Sequence, residues 1–260
     1  MLTKGLAGNA RGYCLLLLAG ALLTAVCVTA PAQVAPLAPK WLAGTPPPPV
    51  ETFADGLARH HIALTETALL AALQDPDGEV RSLAAAQLAA MDDHPALTAI
   101  LVAMEAETDL QVQVNLAGAA TWLDSRRALD RLQLLCQNLN VPSAARLDAA
   151  RYVSNKELPT CYSAVEQVEQ TDPDASIRVL AILTAVNYRG QSEKAQDLVV
   201  SALADRDPTV RIVAADELRF LHATSALDVL SHALQVESDD TAREHLRNDI
   251  RALGADSATK

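Results

Sequence analysis

After residue 50, hydrophobic residues recur along the chain at helical spacing. Val210, Ala214 and Leu218, for example, are four positions apart, which places them on one face of a helix. A second apolar stretch follows after a short break, at residues 226–236. Stretches in which β-branched or aromatic residues alternate with polar residues, as in a strand, are few. The pattern therefore predicts pairs of helices and makes a sheet an unfavoured alternative.

The helical segments repeat at a nearly constant interval. Six of them align without gaps, and their first residues are 34, 31, 32, 33 and 32 positions apart. They span residues 75–88, 109–122, 140–153, 172–185, 205–218 and 237–250. The second stretches span residues 95–106, 128–139, 159–168, 195–204 and 226–236. A fixed period in this range predicts stacked helix hairpins, because one hairpin cannot bury both of its faces alone.

Each of the six segments uses the same residue types at the same positions. An acidic or amide residue opens it, and such a side chain can accept hydrogen bonds from the free N–H groups at a helix start. The seventh residue is arginine in five copies (Arg81, Arg146, Arg178, Arg211 and Arg243), and Asn115 is the exception. The pattern D-P-x-x-x-V-R-x-x-A-A-x-x-L, clearest at residues 75–88 and 205–218, resembles HEAT repeats of the short kind named after phycobilisome lyases.

This resemblance implies an all-α fold, a right-handed α-solenoid of about six HEAT-like helix hairpins. We place the solenoid at residues 51–255 and a short tail at 256–260. The resemblance covers residues 75–255, and residues 58–73 before it can form a lone second helix. It also implies a ladder of ion pairs between adjacent repeats, formed by Asp75, Arg81, Asp172, Arg178, Asp205 and Arg211. Replacement of Arg211 by alanine should then destabilise the fold.

A binding face is also implied by the resemblance. In HEAT arrays the second helix of each hairpin lines the concave side and presents an extended surface. The polar positions on these helices are Glu105, Arg131, Glu166, Asp197, Asp228 and His232. We expect a partner to contact this set, with ordinary solvated positions as the alternative.

The first 32 residues have the pattern of a secretory signal. Lys4 and Arg11 precede an uncharged apolar run at residues 14–28, and Ala30-Pro31-Ala32 forms an A-x-A cleavage site. The run is shorter than the roughly 20 residues that a membrane-spanning helix needs. We therefore expect cleavage after Ala32 and a periplasmic or secreted protein. Anchoring by the uncleaved signal or by a lipidated Cys27 is the alternative.

A proline-rich linker follows the predicted cleavage site. Residues 33–50 contain six prolines, which lack the N–H group that a helix needs and fix the backbone φ angle. This composition predicts an extended tether between the signal and the repeats.

Charge and composition narrow the range of partners. The net charge is −11, and removal of residues 1–32, which carry two positive charges and no negative ones, leaves −13. Such a chain repels phosphate and anionic lipid, and with 3% aromatic residues it offers few platforms for bases. We expect a protein partner of unknown identity, no nucleic acid, and no stable membrane insertion after signal cleavage.

No catalytic or cofactor motif is present in the sequence. It contains no G-x-S-x-G, H-E-x-x-H, P-loop or G-x-G-x-x-G pattern. Deoxyhypusine hydroxylase, another helical solenoid, binds iron through His-Glu pairs. Here only Glu244-His245 comes near that pattern, in the reverse order, and His60-His61 is a weak metal candidate. We expect no metal and no cofactor.

These observations favour a non-catalytic scaffold for protein–protein interaction in the bacterial periplasm or cell envelope. An assembly or stability factor for an exported enzyme or envelope complex is the alternative. A second alternative is an enzyme with its site in the concave groove.

Two cysteines remain outside the signal, in a compartment that allows disulfides. Cys136 lies 22 residues after Val114, whereas Cys161 lies 16 residues after Ala145. Between parallel helices this difference amounts to about 9 Å of rise, in addition to a helix spacing of about 9 Å. A disulfide needs Cα atoms within about 7 Å. The spacing therefore favours two buried free thiols over a bond.

Overall fold

A computed structural model describes the backbone of residues 13–19, 22–28 and 52–258 and the side chains of residues 52–255. The predicted cleavage site after Ala32 and the proline-rich linker lie outside the described residues. The chain divides into two compact units, residues 1–88 and residues 89–260.

The first unit contains two strands, two short helices and most of a third helix. Strands β1 (Tyr13–Ala19) and β2 (Leu22–Val28) pair antiparallel, with Tyr13 opposite Val28, inside the predicted signal. They are followed by α1 (Phe53–Arg59), α2 (Glu66–Ala72) and most of α3 (Gly78–Ala90). The described residues after 51 contain helices, turns and loops only.

Residues 58–73 contain the end of α1, a turn and α2 instead of one continuous helix. His61 has a φ of 58°, which turns the chain after α1. Thr65 then starts α2, because its hydroxyl oxygen accepts a hydrogen bond from the Ala68 N–H at 3.3 Å. The prediction of one lone helix is wrong here because the apolar spacing gave no sign of the turn between α1 and α2.

The second unit is an array of helix pairs. Its helices are α4 (Leu97–Ala106), α5 (Leu110–Trp122), α6 (Arg126–Gln137), α7 (Ser143–Ser154), α8 (Tyr162–Thr171), α9 (Ala175–Val186), α10 (Ser192–Ala202), α11 (Pro208–Phe220), α12 (Leu227–Val236) and α13 (Asp240–Ala258). We call α3, α5, α7, α9, α11 and α13 the first helices, and α4, α6, α8, α10 and α12 the second helices. The all-helical hairpin architecture is confirmed, with each predicted segment on a helix of the expected kind. Within the described residues, the sixth repeat contributes its first helix, α13, which extends to Ala258.

The first helices of the second unit pack in sequence. Contacts join α5 to α7, α7 to α9, α9 to α11 and α11 to α13, and each of α6, α8 and α10 contacts the first helix before it and the first helix after it. Alanines such as Ala117, Ala149, Ala181 and Ala214 are fully buried in these contacts. Their small side chains let neighbouring helices approach closely.

A left-handed residue recurs in the turn between the two helices of each hairpin. These residues are His61, Asp92, Asp124, Glu157, Gly190 and His222, and successive members are 31, 32, 33, 33 and 32 positions apart. Glycine occupies one of the six, although the conformation costs other residues energy. Since α1 and α2 flank the first of these turns, they form a short hairpin of the same kind.

Cys136 and Cys161 form a disulfide, with their Cα atoms 5.8 Å apart. The expectation of two free thiols is therefore wrong. It treated α6 and α8 as parallel rods, whereas the end of α6 contacts the 3-10 turn Pro159–Cys161 that precedes α8. Gln133 and Gln137 of α6 both donate hydrogen bonds to Thr160 in this turn, at 3.4 Å. The turn thus brings Cys161 to the last turn of α6.

Gly118 marks the closest contact between α5 and α7. A Cβ atom added to Gly118 would lie 2.3 Å from Cζ of Tyr152, a buried ring on α7. We expect Gly118→Ala to lower the free energy of unfolding by about 1–3 kcal/mol, because the ring has no room to withdraw in a packed core. Urea denaturation followed by circular dichroism measures this change.

Gly254 supplies the control for this substitution. It lies within α13, and a Cβ atom there would meet nothing within 4 Å. Gly254→Ala should be neutral or stabilising, because alanine favours a helix by about 1 kcal/mol over glycine. Equal losses from the two substitutions would contradict the steric explanation.

Candidate functional site

The seventh-position arginines link consecutive repeats. Arg178 donates from Nε and Nη2 to the two carboxylate oxygens of Asp205, at 2.7 and 2.8 Å. Its Nη1 donates to the carbonyl oxygen of Asp172 at 2.9 Å. The side chains of Arg178 and Asp205 are only 3% and 9% exposed. One buried guanidinium thus binds the opening residues of its own segment and of the next.

Arg211 repeats this arrangement one segment later. It donates from Nε and Nη2 to the carboxylate of Glu237, at 2.7 and 2.6 Å, and from Nη1 to the carbonyl oxygen of Asp205 at 2.8 Å. Arg243 in turn donates to the carbonyl oxygen of Glu237 at 2.8 Å. Two-point binding of this kind fixes both distance and orientation. The result is a continuous chain of hydrogen bonds from Asp172 to Arg243.

The ion pairs alter the acidity of the two buried carboxyls. Burial alone would raise the pKa of Asp205, but the hydrogen bonds and charge of Arg178, with the N–H of Asp207, hold this pKa below its ordinary value. The hydrogen bond from Arg211 likewise lowers the pKa of Glu237. Both carboxyls therefore favour the ionised form that the arginines bind.

Arg81 makes the same backward bond as Arg178, whereas Arg146 departs from the pattern. Arg81 donates to the carbonyl oxygens of Asp75 and Pro76, at 2.7 and 3.0 Å. Arg146 donates to the carbonyl oxygen of Cys136 at 2.9 Å and to the side chain of Gln167 at 2.8 Å. In the third repeat Arg146 thus binds an amide on α8 instead of an opening acid, and its backbone bond goes to the end of α6 instead of to the opening residue Asn140.

Two of the opening acids, Asp172 and Asp205, lie two residues before the helix caps. Asp172 and Asp205 accept hydrogen bonds from the N–H groups of Asp174 and Asp207, at 2.9 and 2.7 Å. Asp174 and Asp207 are the N-cap residues of α9 and α11. The sequence assigned capping to the opening acids, which is correct for Asp109, the N-cap of α5. In the segments of α9 and α11 the cap lies two residues later, which leaves the carboxylate of Asp205 available to Arg178.

Glu105 and Arg131 meet in a groove between α4 and α6. This groove has a volume of about 410 Å³ and is lined by Met104, Glu105, Gln113, Arg127, Asp130, Arg131 and Leu134. Arg127 pairs with Glu105, and Arg126 on the same helix pairs with Asp130 at 2.9 Å. Leu134 is 63% exposed at its edge. An exposed apolar side chain is thus surrounded by charged ones.

Arg131 is held in the groove by a buried amide. Its Nε and Nη2 donate to Oε1 of Gln113, at 3.2 and 2.7 Å. Nε2 of Gln113 donates in turn to the carbonyl oxygens of Met104 and Glu107, at 3.0 and 3.3 Å. Sequence reasoning missed Gln113, because its position in the repeat is polar in most copies and gives no sign of burial.

Comparison with known proteins identifies the repeat. Residues 163–249 match the family model of HEAT repeats. The chain therefore contains HEAT repeats at residues 163–249. No curated protein matches it significantly. Among solved structures, human deoxyhypusine hydroxylase in complex with glycerol is similar at 18% identity over 73% of each chain, with a TM-score of 0.39. A similarity at this level does not transfer an activity.

The other predicted binding residues of the HEAT-like array lie apart from the groove. Glu166 is half-buried on α8 and Asp197 is exposed on α10, and both carboxylates interact electrostatically with Tyr162. Burial and these two charges raise the pKa of Tyr162, whose hydroxyl is buried without a hydrogen-bond partner. Asp228 and His232 are exposed on α12. The six residues therefore fall into three pairs on the second helices: Glu105 with Arg131, Glu166 with Asp197, and Asp228 with His232.

The metal candidates of the sequence do not form a cluster. Among the described residues, no group of three or more His, Cys, Asp and Glu side chains is placed to hold an ion. Nε2 of His60 lies 4.0 Å from Oε1 of Glu79, and Nδ1 of His245 lies 3.8 Å from Oδ2 of Asp216.

A buried carboxyl between α11 and α13 titrates in an unusual range. Asp249 is 3% exposed and accepts a hydrogen bond from Nε of Arg219 at 2.7 Å, while its Oδ2 has no partner. Burial, with the charge of Asp216, raises the pKa of Asp249 from 3.8 to about 6. The folded protein therefore binds this proton more tightly than the unfolded chain does, so the carboxyl favours folding below pH 4. That stability is lost as the pH rises through 6.

We expect Asp249→Asn to stabilise the protein at pH 7 and to lose this advantage towards pH 4. The substitution removes the buried charge but keeps an acceptor for Arg219. A shift of about two pKa units corresponds to about 3 kcal/mol at neutral pH. Urea denaturation of both proteins at several pH values between 4 and 7 measures the difference. Asp197→Asn, at an exposed position, is the control and should show no such pH trend. A stability difference between Asp249→Asn and the unchanged protein that does not vary with pH would contradict the raised pKa of Asp249.

Proposed function

We propose that this HEAT-like repeat protein is a non-catalytic scaffold in the bacterial periplasm or cell envelope, and that it binds another protein through its second helices. The observation that carries the proposal is the groove between α4 and α6. There an exposed leucine is surrounded by paired charges and one rigidly held arginine. An apolar centre with a polar rim is the usual composition of a protein-binding surface, and arginine is frequent among its strongest contacts.

The disulfide supports export. Cys136 and Cys161 are joined within the described part of the array, and disulfides persist mainly in oxidising compartments. The basic start, apolar run and A-x-A site of the first 32 residues agree with this location.

The net charge of −11 supports a protein as the partner. It disfavours nucleic acid and anionic membrane surfaces, and we propose that neither is bound. Among the described residues, no helix combines the length and hydropathy needed to cross a bilayer.

Site-specific crosslinking tests the binding surface. A photoreactive amino acid is placed at Leu134 or at Asp197, on second helices, and in control proteins at Ser176 or at Arg247, on first helices. All four positions are exposed. We expect the full chain, expressed in its own cells, to give a defined crosslinked protein from the second-helix positions only. Crosslinks of equal yield from all four positions would contradict the proposed surface.

Cell fractionation and N-terminal sequencing test the location. We expect the protein in the envelope or periplasmic fraction, with Gln33 as its first residue. A cytoplasmic protein that retains residues 1–32 would contradict export and leave the binding surface to be judged by crosslinking.

A further inference from the structure

We propose that Arg131 binds a carboxylate side chain of the partner protein and that Leu134 contacts an apolar residue beside that carboxylate. This inference rests on the proposed function for the identity of the partner as a protein. It adds the chemical class of the partner residue and the atoms that bind it.

The guanidinium of Arg131 has a free edge in a fixed orientation. Its Nε and one N–H of Nη2 bond to Gln113, so both N–H groups of Nη1 and the second of Nη2 remain available. Gln113 cannot turn away, because its own amide group donates to two backbone carbonyls. The side chain is therefore oriented before a ligand arrives, which reduces the entropy lost on binding.

The charge of Arg131 is uncompensated. In Arg178 and Arg211, the Nε–Nη2 edge binds a carboxylate, whereas in Arg131 the same edge binds the neutral oxygen of Gln113. Glu105 and Asp130, the acids of the groove, pair with Arg127 and Arg126. Within residues 52–255, Arg131 takes part in no ion pair. One positive charge thus remains without an acidic partner.

The free edge suits a single carboxylate. Two parallel N–H groups of a guanidinium match the two oxygens of a carboxylate, as the Arg178–Asp205 pair of this protein shows. A polyanion such as nucleic acid would also meet Glu105, Asp130 and the net charge of −11. A volume of about 410 Å³ accommodates a few side chains, and the exposed Leu134 offers an apolar contact next to the charge. The occupant is therefore an acidic residue flanked by apolar ones.

Short peptides test the site directly. The probes are acetyl-Leu-Glu-Leu-amide and acetyl-Leu-Gln-Leu-amide, which differ in one charge. The Nε–H resonances of the arginines are followed by NMR as each peptide is added to the purified protein. We expect the Arg131 resonance to shift and saturate with the glutamate peptide, and about tenfold weaker binding of the glutamine peptide, or about 1.4 kcal/mol.

Arginine variants inside and outside the groove provide the controls. Arg131→Gln should abolish saturable binding, and Arg131→Lys should weaken it because a lysine keeps the charge without the two-point geometry. Arg247→Gln removes the same charge from an exposed position on α13, outside the groove, and should bind as the unchanged protein does. A melting curve for each variant shows that it is folded. Equal binding of the two peptides, or full binding by folded Arg131→Gln, would overturn the inference.

The crosslinking experiment separates this inference from the proposed function. Crosslinks from Leu134 that persist undiminished in Arg131→Gln would overturn the carboxylate site and leave the scaffold proposal standing. Saturable peptide binding at Arg131 without crosslinks at any second-helix position would support the carboxylate site and contradict the scaffold proposal.

Discussion

Replacement of Arg178 by alanine is expected to lower the free energy of unfolding by about 3–5 kcal/mol. The reason is the carboxylate that the substitution leaves behind. Asp205 is 9% exposed and receives two of its hydrogen bonds from Arg178, and only the N–H of Asp207 would remain. The link to the carbonyl of Asp172 would also be lost. A buried charge without its partner is among the most destabilising changes in a protein.

Urea denaturation of three variants measures this effect. Arg178→Lys should lie between the unchanged protein and Arg178→Ala, because lysine keeps the charge but cannot bind both carboxylate oxygens in one plane. Arg126→Ala breaks an ion pair whose side chains are 77% and 54% exposed, and it should cost at most about 0.5 kcal/mol. Losses of similar size for Arg178→Ala and Arg126→Ala would show that the buried pair has no special role.

Loss of the disulfide between Cys136 and Cys161 is expected to cost about 3 kcal/mol. The two cysteines are 25 residues apart, and a crosslink over that distance restricts the unfolded chain by about this amount. For a chain of this size, a loss of 3 kcal/mol corresponds to a decrease in Tm of about 6–12 °C. Both sulfur-bearing side chains are fully buried, so reduction requires a denaturant before refolding.

The double variant Cys136→Ala/Cys161→Ala is the matched control. It should melt at nearly the temperature of the reduced protein, and a reductant should not lower its Tm further. A thiol assay on the native protein provides an independent check. Two reactive thiols at Cys136 and Cys161 after unfolding without reductant would contradict the bond.

The sequence predicted the helix pairs because their signals are local and periodic. The spacing of Val210, Ala214 and Leu218 depends only on helix geometry, and six copies of one pattern strengthen each other. The arginines of the ladder were found for the same reason. Their partners required the structure, because Arg178 binds a carboxylate 27 positions further along the chain.

The features that the sequence failed to predict depend on departures from a regular array. The disulfide forms because a 3-10 turn places Cys161 next to the end of α6. The prediction placed both cysteines on parallel helices and did not include this turn. The hairpin of α1 and α2 contains His61 rather than glycine at its turn, so no breaker residue marked it. Gln113 is buried because α4 ends beside it, and its polar identity alone does not indicate this environment.

The C-terminal part of the array can change its length by one repeat without losing the bond that links Arg178 to the next segment. Asp205 and Glu237 are equivalent, since each receives the two-point bond from the arginine of the preceding segment. A chain from which residues 205–236 were removed would present Glu237 to Arg178 in place of Asp205. Duplication or deletion of residues 205–236 therefore keeps a carboxylate opposite Arg178, whereas insertion of a fraction of this repeat would place a different residue there.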